Sequence, residues 1–218
     1  MSIPVINQAL NFPDPRLANA KGLVAIGGDL SVERLLLAYR TGIFPWTVSP
    51  ISWWSPDPRA ILELDKLHVG ESLRKILRKG TFQVTIDRAF PKVIENCAVR
   101  TAGRSETWIT AEFIEAYTRL HERGHAHSLE CWREGELAGG IYGVAIGGLF
   151  AGESMFHRAS NASKVALYHL VLHLQKHHFR LLDIQMLTPV TKQMGGETIP
   201  REVYLERLED AVAAKCEF

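Results

Sequence analysis

The sequence lacks several features that define large classes of proteins. It has only three cysteines, Cys97, Cys131 and Cys216, whose spacing matches no metal site and which cannot all pair, so we expect a reducing cytoplasm. The N-terminal segment MSIPVINQAL has neither a basic stretch nor a long apolar core, so we expect no secretory signal. One of the two longest uncharged runs, 137–152, is short for a membrane span and rich in glycine. It predicts a β-hairpin that turns at Gly147-Gly148.

Charge of one sign is also scarce in the chain as a whole. The formal net charge is +1, which argues against a general nucleic-acid binder. Residues 66–104, however, hold nine lysines and arginines against three acidic residues, so the remainder of the chain is acidic in balance. This asymmetry predicts one surface that faces a polyanionic partner.

Proline is scarce after residue 60 and abundant before it. Seven of the ten prolines lie in residues 1–60, so we predict that the aromatic side chains there are held on stiff loops and not in central strands. Residues 1–61 are predicted to form a small N-terminal domain rich in proline and aromatic residues. Two interpretations stay open for Trp46, Trp53 and Trp54: they pack a small core, or they form a wall for an apolar or planar substrate group.

A basic helix is predicted over 69–79. Its apolar arc contains Val69, Leu73, Ile76 and Leu77. Its opposite arc carries four cations, Arg74, Lys75, Arg78 and Lys79. A single charged helix is usually a solvated face, but the excess of positive charge continues as far as Arg104. We therefore favour contact with phosphate groups, which would give affinity without reading sequence.

The stretch 149–188 is predicted to form a strand, a helix and a second strand, and to carry the chemistry. Asp183 and Gln185 are two residues apart in the second strand and therefore share a face. A carboxylate and an amide are costly to bury in an apolar strand unless they have partners. Glu153 and Ser154 lie in the first strand. The alternative for Asp183 is a structural carboxylate that accepts backbone N–H groups.

The order of elements after residue 62 is predicted as α-β-α-α-β-β-β-α-β-α. This order resembles the acyl-CoA N-acyltransferase fold. The predicted fold class is therefore α+β, with a mixed sheet and helices over 62–218 and a small N-terminal α/β domain. The loop HRASNASK before the long helix lacks the glycines with which coenzyme A users contact a diphosphate. We expect an acyl donor other than coenzyme A.

Several phrases of the sequence, in order, resemble one family. They include AIGGDLSVERLLLAYRTGIFPW, WWSPDPRAIL, TWIT, GGIYGVAIGGLFAGESMF, NASK and DIQ. They are similar to the bacterial leucyl/phenylalanyl-tRNA–protein transferases over nearly the whole chain. The resemblance implies transfer of leucine or phenylalanine, and also methionine, from aminoacyl-tRNA to a protein with N-terminal Arg or Lys, which creates a degradation signal under the N-end rule. An aminoacyl ester is already activated, so we expect no cofactor and no metal. We also expect a cytoplasmic monomer that does not bind membranes.

The resemblance also implies roles for particular residues. Gln185 would hold the incoming amine, and Asp183 would polarise that arrangement and assist proton removal. Glu153 would offer negative charge near the basic N-terminal residue or the terminal adenosine. Trp46 and Trp108 would stack on that adenosine or line its binding site. The basic helix would track the acceptor stem. The other candidates for substrate binding, some of which would line the pocket for the amino-acid side chain, are Ile141, Tyr142, Gly152, Ser154, Phe156 and Thr188.

The chain departs from the usual family pattern beside the second strand. Ile184 stands where cysteine is common, Thr188 where asparagine is usual, and Val190 where histidine is usual. A threonine hydroxyl is shorter than an asparagine amide, so a part for Thr188 in proton transfer stays open. Two other functions also stay open: an N-acetyltransferase of the same fold that uses a small acyl thioester, and a non-catalytic tRNA-binding or adaptor module.

Overall fold

The computed structural model describes residues 3–100 and 107–218. Arg104, part of the predicted basic excess, lies outside the described residues. The first elements are β1 (Val5–Ile6), β2 (Leu23–Gly27), α1 (Val32–Arg40), β3 (Phe44–Val48) and β4 (Ile51–Trp54), with a short 3-10 turn at Pro15–Leu17. The later elements are β5 (Arg59–Leu62), α2 (Glu71–Lys79), β6 (Gln83–Ile86), α3 (Phe90–Ala98), α4 (Ala111–Glu122), β7 (Ala126–Arg133), β8 (Glu136–Ile146), β9 (Leu149–His157), α5 (Ala162–Lys176), β10 (Leu181–Gln185), α6 (Pro189–Gln193), β11 (Gly196–Ile199) and α7 (Arg201–Ala213).

The N-terminal strands form a four-stranded sheet in the order β1-β2-β4-β3. The prediction that loops hold the aromatic side chains is wrong, because Trp46 lies in β3 and Trp53 and Trp54 lie in β4. Pro45 is tolerated because β3 is an edge strand, where a missing N–H breaks no central ladder. Trp53 is fully buried and donates its indole N–H to the carbonyl oxygen of Gly27 at 2.8 Å, so it packs the core.

The larger sheet has seven strands in the order β11-β5-β10-β9-β8-β7-β6. β9 and β10 run parallel, whereas the other neighbouring pairs are antiparallel. The predicted α+β class with a mixed sheet is therefore confirmed. β5 begins at Arg59 and pairs with β10 and β11, so residues 59–61 contribute to this sheet.

Helices cover both faces of the seven-stranded sheet. α2 and α5 pack on one face, where Leu73 is buried and the other apolar residues predicted for the basic helix are partly buried against the same core. α1, α3, α4 and α7 pack on the opposite face. Among the described residues, none of the helices has the length and apolar character needed to span a bilayer. The sheet is therefore an interior layer, and polar side chains along its strands need partners within the protein.

One local prediction is confirmed and two elements were missed. The hairpin does turn at Gly147-Gly148, between Ile146 and Leu149. The short elements α6 and β11 were missed, because five- and four-residue segments carry too little periodicity to identify.

Two β-bulges lie where β9 and β10 separate. These parallel strands pair only over Leu181–Asp183, so they diverge beyond Asp183. Glu153 is the extra residue of a bulge in β9, since Gly152 and Ser154 pair with adjacent residues of β8. Ile184 is the extra residue in β10, and Gln185 follows it with φ of 59°, in the left-handed region that non-glycine residues seldom occupy. Bulges of this kind re-aim side chains, and here they do so at the opening between the strands.

Candidate active site

A cavity of about 290 Å3 opens between the diverging ends of β9 and β10. Most of its surface is apolar. Its walls come from β8, β9, α5 and the chain that follows β10, and Trp108 adds an indole ring. The lining residues are Trp108, Ile141, Gly152, Glu153, Ser154, Met155, Leu167, Ile184, Gln185, Met186, Thr188 and Thr191. The volume is near the lower end of the range for small-molecule sites, about 300 Å3, and suits a small apolar group.

Glu153 and Gln185 form the acidic part of the cavity wall. The side-chain amide of Gln185 donates to Glu153 Oε1 at 2.6 Å. The Tyr39 hydroxyl also donates to Oε1, at 2.8 Å, and the Tyr117 hydroxyl donates to Oε2 at 3.0 Å. The two tyrosine hydroxyls also lie within hydrogen-bond distance of each other. Because each hydroxyl has a single proton, both donate to Glu153 only when neither donates to the other. Glu153 is therefore held from three directions by neutral donors.

Asp183 lies directly behind this wall and has a different set of partners. The Arg59 guanidinium donates from Nε to Oδ1 at 2.9 Å and from a terminal nitrogen to Oδ2 at 2.6 Å. The Tyr204 hydroxyl donates to Oδ2 at 2.9 Å, and the backbone N–H of Gln185 donates to Oδ1 at 2.8 Å. Asp183 and Arg59 are each only 1% exposed. The Arg59 guanidinium also lies between the rings of Phe44 and Tyr204, at 4.8 and 4.5 Å.

The two environments have opposite electrostatic character. Burial raises the pKa of Glu153 to about 7, and the negative charge of Asp183 adds to this, although hydrogen bonds from the tyrosines and Gln185 oppose it. Burial lowers the pKa of Arg59, but the Asp183 carboxylate outweighs that effect, so the pKa is raised and the guanidinium stays charged. Burial, followed by the charge of Glu153, raises the pKa of Tyr39 and Tyr117 well above the usual value, so both hydroxyls remain donors.

The cavity brings together most of the residues that the sequence singled out. Seven of them line it: Trp108, Ile141, Gly152, Glu153, Ser154, Gln185 and Thr188. The Thr188 hydroxyl accepts the Thr191 backbone N–H at 3.1 Å and caps α6. Asp183 contacts the cavity wall through Gln185.

Three predicted residues lie outside the cavity wall. Trp46 is partly buried and packs edge-on against Trp54, with ring centroids 5.3 Å apart. Tyr142 is fully buried and packs against Tyr117, with centroids 5.6 Å apart. Phe156 is buried in the same core. In this geometry Tyr142 supports Tyr117 and so contacts the site through it.

Sequence reasoning missed four residues that hold the two carboxylates: Tyr39, Tyr117, Arg59 and Tyr204. Tyr39 and Tyr117 lie on the buried faces of α1 and α4, but helical periodicity indicates burial and not the partner of a hydroxyl group. Arg59 carried one usable signal, because it precedes the apolar residues of β5, and a charged residue in such a strand needs a partner. That partner lies 124 positions away in the chain.

The four cations of α2 are exposed, as the predicted basic arc requires. Arg74 and Arg78 line an open cleft between α2 and α5, together with Tyr168 of α5. Lys75 forms an exposed ion pair with Glu71 at 3.2 Å, which contributes little to stability. Within the described ranges, no group of three or more His, Cys, Asp or Glu side chains could hold a metal ion.

Comparison with known proteins identifies the family. Residues 61–209 match the model of the leucyl/phenylalanyl-tRNA protein transferase family, and residues 28–57 match the model of its N-terminal domain. The chain belongs to this family. It is 52% identical over 210 residues to the leucyl/phenylalanyl-tRNA–protein transferase of Syntrophobacter fumaroxidans, covering 95% of this chain and 90% of the relative. It is 51% identical to that of Desulfatibacillum aliphaticivorans, covering 97% and 92%.

Membership of this transferase family makes the chain an aminoacyltransferase. Among solved structures, it is similar to L-PGS from Bacillus licheniformis, with a TM-score of 0.43 and 15% identity over 74% of this chain and 54% of that one. It is also similar to a ribosomal-protein-alanine N-acetyltransferase from Brucella melitensis, with a TM-score of 0.37 and 11% identity over 51% and 84%.

Proposed function

We propose that the chain transfers leucine or phenylalanine, and also methionine, from aminoacyl-tRNA to the α-amine of an N-terminal arginine or lysine. The product is a new peptide bond that marks the acceptor protein for degradation in the cytoplasm. The observation that carries this proposal is the cavity, whose apolar wall includes a buried acid–amide pair. Ile141, Leu167 and Ile184 line the part of the cavity that would take the apolar side chain, and in this proposal the ester carbonyl would lie beside Gln185.

The hydrogen bonds of Gln185 support its role in holding the amine. Its amide nitrogen donates to Glu153, so its carbonyl oxygen is the end left to accept an amine N–H. Asp183 accepts the backbone N–H of Gln185 and thereby fixes the strained residue in place. On this basis we assign Gln185 as the catalytic residue that holds the amine, and Asp183 as the residue that positions it. Orientation of an already activated ester supplies much of the rate enhancement.

The charge balance of the site favours a basic acceptor. Arg59 compensates Asp183, whereas the described partners of Glu153 are neutral hydroxyl and amide groups. The ionised site therefore carries excess negative charge, which attracts the ammonium and side chain of an N-terminal arginine or lysine. Trp108 provides an aromatic wall for the terminal adenosine. Trp46, in the N-terminal sheet, is the second aromatic candidate for that contact.

The direct test uses defined acceptors and donors. The purified chain is incubated with leucyl-, phenylalanyl-, methionyl- or aspartyl-tRNA and with peptides that begin with Arg, Lys or Ala, and the products are weighed by mass spectrometry. We expect one added residue on the Arg and Lys peptides with the three apolar donors. An N-acetylated Arg peptide is the matched control. Addition to the Ala peptide, or from acetyl-coenzyme A in place of charged tRNA, would contradict the proposal.

The proposed path of the tRNA over α2 has its own test. The four exposed cations of this helix are changed to alanine together: Arg74, Lys75, Arg78 and Lys79. Because each phosphate contact releases counterions, the slope of log affinity against log salt should become shallower by roughly 0.7 to 0.9 per lost contact. The control changes four exposed cations on other elements: Arg123, Arg133, Lys176 and Lys215. Equal losses in both variants would mean that only net charge matters.

A further inference from the structure

The two buried carboxylates differ in how many acceptor positions they have left. A carboxylate offers about four. Asp183 receives four hydrogen bonds, two from Arg59 and one each from Tyr204 and the Gln185 backbone. Its acceptor positions are therefore filled. Asp183 is therefore poorly suited to remove a proton from a substrate.

Glu153, unlike Asp183, has a hydrogen-bond acceptor position that is not filled by the described donors. Its described donors are three, Tyr39, Tyr117 and Gln185, which leaves about one acceptor position. Glu153 also lines the cavity, and as the extra residue of a bulge it is directed differently from a regular strand residue. Glu153 and Gln185 are hydrogen-bonded neighbours on the cavity wall, so a group bound beside Gln185 is also close to this carboxylate.

Tyr39 and Tyr117 have no other evident role for their hydroxyl groups. Both side chains are fully buried, and the two hydroxyls contact only Glu153 and each other among the hydrogen bonds of the described residues. Burying two hydroxyls beside a carboxylate is favourable only when the hydrogen bonds are made. Their effect is to stabilise the ionised form of Glu153 and to fix its orientation.

We propose that Glu153 accepts the proton of the acceptor's α-ammonium group, and that Tyr39 and Tyr117 are the positioning residues that keep Glu153 ready to do so. This inference rests on the proposed function and names the group that activates the nucleophile. Asp183 then positions Gln185 and does not itself receive the proton.

The reaction transfers the aminoacyl group from the ribose oxygen of the tRNA to the nitrogen of the acceptor. The ammonium group gives one proton to the Glu153 carboxylate and becomes a neutral amine. The nitrogen lone pair attacks the ester carbonyl carbon, and the bond from that carbon to the ribose oxygen breaks. The second N–H proton goes to the departing ribose oxygen, so the products are an amide and a free ribose hydroxyl. The proton on Glu153 leaves to solvent with product release, which restores the carboxylate.

The electrostatics of the site agree with this geometry. The raised pKa of Glu153, about 7, lies near neutral pH, where a general base is most effective. The groups that face it are Tyr39 from α1, Tyr117 from α4, and Asp183 with Gln185 from β10. Arg59 of β5 adds a positive charge beyond Asp183.

The pH dependence of kcat/KM for an Arg-initiated peptide, at saturating leucyl-tRNA, tests the inference. For the wild type we expect a bell-shaped plot of kcat/KM against pH. The value rises as Glu153 ionises near pH 7 and falls as the α-ammonium group of the peptide deprotonates near pH 8. Glu153→Gln should lower kcat/KM by roughly 100- to 10,000-fold at pH 7.5. The residual activity should rise with the neutral amine to a plateau, without a bell.

The tyrosine variants separate a positioning role from a merely structural one. Tyr39→Phe and Tyr117→Phe each remove a donor that lowers the pKa of Glu153, so each should move the acid limb about one unit to higher pH. Tyr204→Phe, which removes a donor to Asp183, should leave the position of that limb unchanged. The inference would be overturned if the pH profile of Glu153→Gln were still bell-shaped. It would also be overturned if the acid limb kept its wild-type position in both tyrosine variants. Product formation by the wild type still tests the proposed function separately.

Discussion

Asp183 and Glu153 lie on neighbouring strands and are both buried, at 1% and 9% exposure, yet they have different partners. Asp183 faces a guanidinium group at 2.6 Å, whereas Glu153 faces two hydroxyls and an amide. A charged partner compensates the charge of a buried acid, whereas neutral donors do not. Burial and residue type alone therefore do not assign a role. The identity of the donors does.

The largest expected effect comes from breaking the ion pair. Arg59→Met leaves Asp183 buried without a counter-charge, which should lower the free energy of unfolding by about 3–5 kcal/mol in urea titrations. The double variant Arg59→Met, Asp183→Asn removes both charges and should lose less. If the single and double variants lost the same amount, ion pairing would not be what stabilises this side of the site.

A somewhat smaller effect should appear in the pH dependence of stability. The pKa of Glu153 in the folded protein, about 7, exceeds its ordinary value of 4.5, so folding favours the protonated form. This contribution is complete below pH 4.5 and is lost as the pH rises through 7. The unfolding free energy of the wild type, relative to Glu153→Gln, should therefore fall by roughly 3 kcal/mol between pH 4.5 and pH 8. A difference that stays constant with pH would place the carboxylate in a more solvated setting.

The smallest expected effect on the unfolding free energy comes from removing one hydroxyl group beside Asp183. Tyr204→Phe removes one of the four donors to Asp183 and should lower the unfolding free energy by about 1.5 kcal/mol. Urea titrations of the variant and the wild type measure this loss. An unchanged unfolding free energy would mean that the Tyr204 hydrogen bond adds nothing to the stability of the Asp183 site.

The sequence predicted the elements around the site better than the contacts within it. The strand–helix–strand unit around α5, the hairpin at Gly147-Gly148 and the apolar face of α2 follow from local periodicity and turn residues, which act over a few positions. The pairing of Asp183 with Arg59 joins positions 124 residues apart and depends on the order of strands in the sheet. No local rule specifies that order.

The two bulges were not predicted for a similar reason. Alternation along a strand predicted that Asp183 and Gln185 share a face, and both side chains do find partners on the face covered by α1, α4 and α7. The same rule could not predict that Ile184 adds an extra residue, or that Gln185 adopts a positive φ. Such departures from regular geometry are expected where a site is built.

Both acids are completed by residues from the first quarter or so of the polypeptide, Tyr39 on α1 and Arg59 at the start of β5. A fragment beginning at β6 would still contain every residue that lines the cavity, but it would lose β5, an interior strand of the sheet, and the partners that make the two acids different. The N-terminal segment is therefore part of the active site and cannot be replaced by an unrelated binding module. Gene fusions and truncations that omit it should have no transferase activity.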